Sequence, residues 1–276
     1  MYPYIPLPHL HLPFWPSAIP TFGLMLWCAT VVAAIVVDRG FKRERIGADA
    51  VGMVAFALIA GIVGAKLWHV LDSPEEFRAE HWRVLWDTAG FAWYGGLTFG
   101  TLTLVLQGVR AKIGALRSLD LCAPAAAIGY GIGRIGCFLS GDGCYGIAIK
   151  PVHLFGMTLH PWGMAFPHGI EPVGYAVYPT PLYELAAGLV IGSYLWWRAG
   201  KPHAVGSILG QYFALVGTAR FLVEFIRRNP KVFWGLSNAQ MASAGAVLLG
   251  IALVAWAVRR PVLVPGTVPV PIEKPA

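Results

Sequence analysis

Seven long apolar runs divide the chain, at residues 17–37, 47–70, 91–109, 118–139, 180–197, 205–226 and 235–258, each bounded by charged or Gly- and Pro-rich segments. A helix needs roughly 20 apolar residues to cross the hydrocarbon of a bilayer, so each run is read as one transmembrane helix. The pattern predicts an all-α integral membrane protein, a single seven-helix domain over residues 1–260, with its termini on opposite sides of the membrane.

The polar positions between the runs set the orientation. Arg39, Lys42, Arg43 and Arg45 follow the first run, Arg110, Lys112 and Arg117 the third, Arg198 and Lys201 the fifth, and Arg259, Arg260 and Lys274 the seventh. The opposite loops carry only Arg78, Arg83, Lys150, Arg227, Arg228 and Lys231, and one of them is acidic through Asp72, Glu75, Glu76, Glu80 and Asp87. By the positive-inside rule the amino terminus is outside and the carboxyl terminus inside. Residues 140–178 are too polar and too interrupted by Gly and Pro to span, which predicts an extracytoplasmic cap between helices four and five. Residues 261–276 alternate Pro with Val without helical or strand period and read as a disordered tail. The first twenty residues hold six prolines and neither Lys nor Arg, so they lack the basic start of a signal peptide, and the first run reads as a retained helix.

Composition agrees. The AVILMFWYC set makes up 57% of the chain and charged residues only 13%, against ~25% charged in an ordinary soluble domain. The net charge of +7 does not point to nucleic acid, because the cations map onto loops beside a lipid bilayer. Cys28, Cys122, Cys137 and Cys144 are too few and scattered for a disulfide scaffold or a CxxC metal site, and His153, His160 and His168 lack zinc spacing. No metal and no cofactor is expected.

Ionisable groups within the runs carry the chemistry, since each costs several kcal/mol in lipid and usually has a partner. Arg134 and Arg220 both fall roughly 23 Å up from the inner ends of their runs at 1.5 Å per residue, and Lys66 lies near the same level. A single such cation can snorkel to the headgroups, but three at one depth form a pocket for an anion. Glu224 follows Arg220 by four residues on one helical face, with Arg227 a turn beyond. Tyr183 and Glu184 open the fifth run on the outer side. Tyr94 opens the third, within Trp93-Tyr94-Gly95-Gly96, where aromatic residues also suit an interfacial belt and the glycines suggest close backbone approach. The abundant outer-leaflet anions are phospholipid headgroups, and arginine forks bind phosphate bidentately. Gly131-Ile132-Gly133-Arg134-Ile135-Gly136 matches a dinucleotide fingerprint, but no strand precedes it; Gly129 and Gly133 read instead as small-xxx-small helix packing.

Gly133-Arg134-Ile135-Gly136-Cys137-Phe138-Leu139-Ser140-Gly141-Asp142-Gly143-Cys144-Tyr145-Gly146 resembles the signature of bacterial prolipoprotein diacylglyceryl transferases. Tyr94-Gly95-Gly96-Leu97, Tyr178-Pro179-Thr180-Pro181-Leu182-Tyr183-Glu184 and Arg220-Phe221-Leu222-Val223-Glu224-Phe225-Ile226-Arg227 resemble three further family motifs in the same order, and Gly235-Leu236-Ser237 with Gln240 also fits. The resemblance implies seven helices in the bacterial cytoplasmic membrane and an active site toward the outer leaflet. It also implies transfer of the diacylglyceryl group of phosphatidylglycerol to the lipobox cysteine of a prolipoprotein, with release of glycerol phosphate. On this resemblance Arg220, Glu224, Tyr94 and Asp142 are expected to be catalytic, Arg134, Arg220 and Arg227 to bind the lipid phosphate together with Lys66, placed there by its charge and depth, and Gly95, Gly96, Gly141, Gly146, Tyr183 and Glu184 to support them. The chain departs from the family at Tyr94, where a histidine is usual, at Cys137 for asparagine, at Asp142 for glutamate, at Phe22 for tyrosine and at Pro181 for glutamine, with one extra residue between Gly141 and Gly146. These changes bear on the acid-base step more than on lipid binding. The other readings are a divergent relative with another acceptor or no activity, and a non-enzymatic lipid or anion carrier.

Overall fold

In the computed structural model each apolar run folds as one helix. The structure describes residues 2–6, 18–86, 90–150, 152–154, 157–159, 162–260 and 262–266. Helices α1 (Thr21–Arg43) and α2 (Ala50–Asp72) are followed by two short ones, α3 (Pro74–Glu80) and α4 (Arg83–Trp86). The long helices then resume as α5 (Trp93–Arg110), α6 (Ala115–Ser140), α7 (Thr180–Ala199), α8 (Ser207–Val223), which a 3-10 turn Glu224–Ile226 extends, and α9 (Asn238–Ala257). By length and composition five of these are able to cross a membrane: α1, α2, α6, α8 with its extension, and α9. Helices α5 and α7 coincide with the remaining two runs but are more polar, through positions such as Thr98, Gln107, Glu184 and Arg198.

Local chemistry explains where the helices begin and end. The Asp49 carboxylate accepts the Gly52 N–H at 2.9 Å, capping α2. Ser237 and Gln240 form a reciprocal capping box at the start of α9. Gly141, at φ +60°, closes α6 in the left-handed conformation that glycine adopts without a Cβ penalty. The Asp120 carboxylate of α6 accepts the backbone N–H groups of Gly206 and Leu209 at 2.5 and 2.7 Å, so one helix caps the next. This buried acid lies inside an apolar run and serves a helix start rather than an ion site.

Helices pack most closely as α2 with α5, α1 with α6, α6 with α7 and α8 with α9. A Cβ added to Gly188 would come within 2.9 Å of Gly131 Cα, and one added to Gly210 within 2.8 Å of Gly250 O. Such backbone approach is how helices associate without a hydrophobic drive in lipid. The small-residue contact expected at Gly129 and Gly133 is displaced: Gly129 makes ordinary contacts with α1, Gly133 has open space beside it, and Gly131 and Gly136 take the close approaches. The helical phase, set by packing and invisible in spacing alone, accounts for the shift.

The described residues of the cap between α6 and α7 form strands and turns. Two antiparallel hairpins, Val152–Leu154 with Met157–Leu159 and Met164–Phe166 with Val173–Val177, form between α6 and α7. Tyr145, Phe166, Val173 and Val177 make its small core, onto which Phe138 of α6 packs. Ser140 and Gly141 carbonyls accept the N–H groups of Ile170 and Glu171, fastening the cap to the end of α6. Of the tail expected to be disordered, Val262 and Leu263 pair with Ala204 and His203, while residues 261 and 267–276 lie outside the described residues.

Candidate functional site

Three cations and two acids meet where the end of α6, the start of α7, the end of α8 and the start of α9 converge beneath the cap. Glu184, in the first turns of α7 and only 3% exposed, is the hub. Its Oε1 accepts from Arg220 Nη1 and from the Tyr130 hydroxyl, both at 2.7 Å, and its Oε2 from Arg227 Nη1 at 3.0 Å, with Arg134 Nε 3.3 Å away. Arg134 Nη2 also donates to the Tyr130 hydroxyl at 2.9 Å, and its guanidinium lies over the Tyr130 ring. Tyr130 and Arg134 are one turn apart on α6, which places both on the same face.

Glu224 is the second acid and is fully buried. Its Oε1 accepts from Asn229 Nδ2 at 2.5 Å and from Ser237 Oγ at 2.8 Å. Its Oε2 lies 2.9 Å from Arg220 Nη2 but off the hydrogen-bond direction, so that contact is ionic. Lys231 reaches the Glu224 carbonyl and the Gln240 side chain. Three guanidinium groups thus face two carboxylates, leaving the cluster net positive before Lys231 is added. Beside it a cavity of about 20 Å³ is lined by Tyr130, Glu184 and Arg220, room for a water rather than a phosphate. Ile191 lines this cavity and also an apolar one of about 590 Å³ between α7, α8 and α9.

Across the cluster from Glu184, Arg134 Nη1 lies 3.8 Å from Cys137 Sγ and 3.7 Å from Cys144 Sγ. The sulfurs and the Asp142 carboxylate lie within 4.8 Å of one another. Asp142 Oδ1 accepts the Cys144 N–H at 3.2 Å, and Thr180 Oγ1 donates to the Cys144 carbonyl. The Cys144 thiol is held below the ordinary thiol range, chiefly by hydrogen bonding with Cys137 and further by Arg134 and Arg227, against burial and Asp142.

A family model described as prolipoprotein diacylglyceryl transferase matches residues 10–256. The chain belongs to the prolipoprotein diacylglyceryl transferase family. Among its relatives, a phosphatidylglycerol–prolipoprotein diacylglyceryl transferase of Leptospira interrogans is 30% identical over 77% of this chain and 73% of its own. The enzyme of that name from Clostridium tetani is 30% identical over 83% and 90%, and the one from Chromohalobacter salexigens 31% identical over 90% and 91%.

Within this transferase-family chain the expected site residues divide. Arg134, Arg220, Arg227, Glu184 and Glu224 come together, and Asp142 adjoins them through the cysteines. Glu184, expected as support, is the hub. Gly141 abuts Gly169 of the cap, and Gly146 is wedged against the Ile226 carbonyl and Tyr178, so both shape the backbone around the cluster. Tyr183 precedes Glu184 on α7 and is half-exposed. Lys66 is buried on α2, where it donates to the Val84 carbonyl at 3.1 Å and lies over the Phe91 ring; no contact described for it reaches the arginines. Tyr94 is 60% exposed and edge-on to Trp93, with no described contact to the arginines. Gly95 and Gly96 meet Gly64 and Gly61 of α2, so the close approach expected there is a helix contact. Sequence reasoning missed Tyr130, one turn before Arg134. It also set the cysteines aside as too scattered for a metal, whereas the turn at Gly141 and Gly143, with φ of +60° and +79°, folds Cys144 back onto Cys137.

Proposed function

We propose that this protein transfers the diacylglyceryl group of phosphatidylglycerol to the lipobox cysteine of prolipoproteins, from the outer leaflet of the bacterial cytoplasmic membrane. The single observation that carries the reading is the net-positive arginine cluster on Glu184, buried under the cap in a chain of this family. All seven long helices cross the bilayer, with the amino terminus outside. The Arg117–Glu44 pair and the Arg43 contact to the Trp196 carbonyl, at the other end of the bundle, then face the cytoplasm, where cations are favoured.

In this reading Arg134, Arg220 and Arg227 hold the lipid phosphate and stabilise the charge that grows on it as the ester bond breaks. The apolar cavity between α7, α8 and α9 takes an acyl chain, since it is lined by Val190, Leu215 and Ile251 and meets the charged cavity at Ile191. The attacking thiol comes from the acceptor. Purified protein incubated with phosphatidylglycerol and a lipobox peptide is expected to add one diacylglyceryl mass to the peptide cysteine. Folded protein that binds the lipid and leaves the peptide unchanged would refute the transfer in favour of a carrier.

A further inference from the structure

We propose that Cys137, Asp142 and Cys144 form a three-ligand site for a thiophilic divalent cation, zinc by donor type, whose open fourth position takes the acceptor thiol. The donors come from the last turn of α6 and the turn that follows it, and all three atoms lie within 4.8 Å of one another. Tetrahedral zinc with Zn–S bonds near 2.3 Å holds two sulfurs ~3.8 Å apart, so rotation of the side chains through about an ångström closes the site. Asp142 Oδ1 is anchored by the Cys144 N–H, leaving its other oxygen for the ion.

Charge and hydrogen bonding fit the same group. Two thiolates and a carboxylate carry three negative charges, two of which a divalent cation neutralises. Arg134 Nη1, 3.7 and 3.8 Å from the sulfurs, supplies the N–H contacts that orient metal-bound thiolates. Three protein ligands with one open position is the arrangement of catalytic zinc. The acceptor thiol binds as thiolate and releases its proton to water. Its lone pair then forms the C–S bond to the glyceryl carbon as the C–O bond breaks, and that electron pair leaves with glycerol phosphate on the arginines; nothing is oxidised. The thiol step rests on the transfer reading, whereas the ion site does not.

Full-length protein in detergent, reduced with a phosphine and stripped by chelator, should bind one Co²⁺ per chain with thiolate-to-cobalt absorption in the near ultraviolet, displaced by equimolar Zn²⁺. Zn²⁺ should protect Cys137 and Cys144, but not Cys28, from alkylation mapped by mass spectrometry. Cys137→Ser and Cys144→Ser should lose the band, and Asp142→Asn should weaken binding at least tenfold. No thiolate band in the unmutated protein, or a Cys137–Cys144 disulfide that persists after reduction, would overturn the site. A lipobox peptide should intensify the band by adding a third thiolate, whereas its serine analogue should not; an unchanged spectrum would overturn the thiol step. A spectral response without lipid transfer would leave the inference standing and sink the transferase reading instead.

Discussion

Replacing Glu184 by Gln should unravel the cluster while preserving the volume of its hub. The carboxylate presents two oxygens, one accepting from Tyr130 and Arg220, the other from Arg227 with Arg134 beside it. An amide keeps one oxygen and turns the other position into a donor, so whichever way it faces, one pair of donors loses its acceptor. A hydrogen bond to a charged group contributes about 1.5–3 kcal/mol, and breaking a buried ion pair costs about 3–5 kcal/mol. The three arginine side chains are between 10% and 22% exposed, so solvent screens them only in part. We therefore expect a loss of about 3 kcal/mol, a large share of a typical domain's stability. Turnover should fall further than stability explains, by about a hundredfold, since an ångström of misplacement in a binding group costs that much. The assays are thermal unfolding in detergent and diacylglyceryl transfer by the folded fraction. An unfolding midpoint unchanged from the native protein would refute the hub, whatever happened to activity.

Arg134→Ala should abolish transfer and Arg134→Lys restore little, because the fork that contacts Glu184, Tyr130 and both sulfurs is lost; near-normal transfer by folded Arg134→Ala would exclude it from the site. Tyr130→Phe should lower turnover about tenfold, worth ~1.4 kcal/mol, while Tyr94→Phe should change it less than twofold; the reverse order would return the catalytic phenol to Tyr94. Asp120→Ala should cost about 3 kcal/mol through two charge-assisted bonds at the start of α8, without altering turnover of the protein that remains folded, as unfolding and transfer measured together would show. A cysteine in place of Glu80 should react with an impermeant thiol reagent in intact cells; labelling only after lysis would invert the topology.

The long helices were legible because a bilayer imposes a length, and the apolar runs show that length directly. Short elements impose nothing comparable. Helices α3 and α4 fall in a loop read only for its charge, and the cap strands of three to five residues are too brief to establish a period. In the site, the cost of burying charge in lipid singled out Arg134 and Arg220 from sequence alone. Depth is one coordinate, however, and direction is another. Lys66 lies on α2, which packs on α1 and α5, whereas Arg134 of α6 and Arg220 of α8 meet at Glu184 of α7. Tyr130 escaped notice because a tyrosine in an apolar run has no charge to flag it. Asp120 escaped for a different reason, since its partners are backbone N–H groups that no sequence pattern displays.

The pairing of the arginines with Glu184 also bears on how the proposed reaction would be driven. Unpaired guanidinium groups would bind the phosphodiester tightly from the outset, and tight ground-state binding does not lower the barrier. With Glu184 and Glu224 between them, three guanidinium groups retain a single net positive charge, enough to balance a singly charged phosphodiester. Cleavage of the C–O bond gives a phosphate monoester with further negative charge. Once turned toward the lipid, the arginines can receive that charge, and Lys231, held near Glu224 and Gln240, adds a second net positive charge nearby. Favourable interaction therefore grows as the bond breaks, which is the condition for catalysis rather than mere retention of the lipid. A phosphate cannot occupy the present cavity, so its entry requires the guanidinium groups to turn from Glu184 toward the substrate. On the proposed reading Glu184 would then act as a counter-charge that the lipid displaces in part, keeping the arginines oriented between turnovers and their affinity for phosphate below the level that would trap the product.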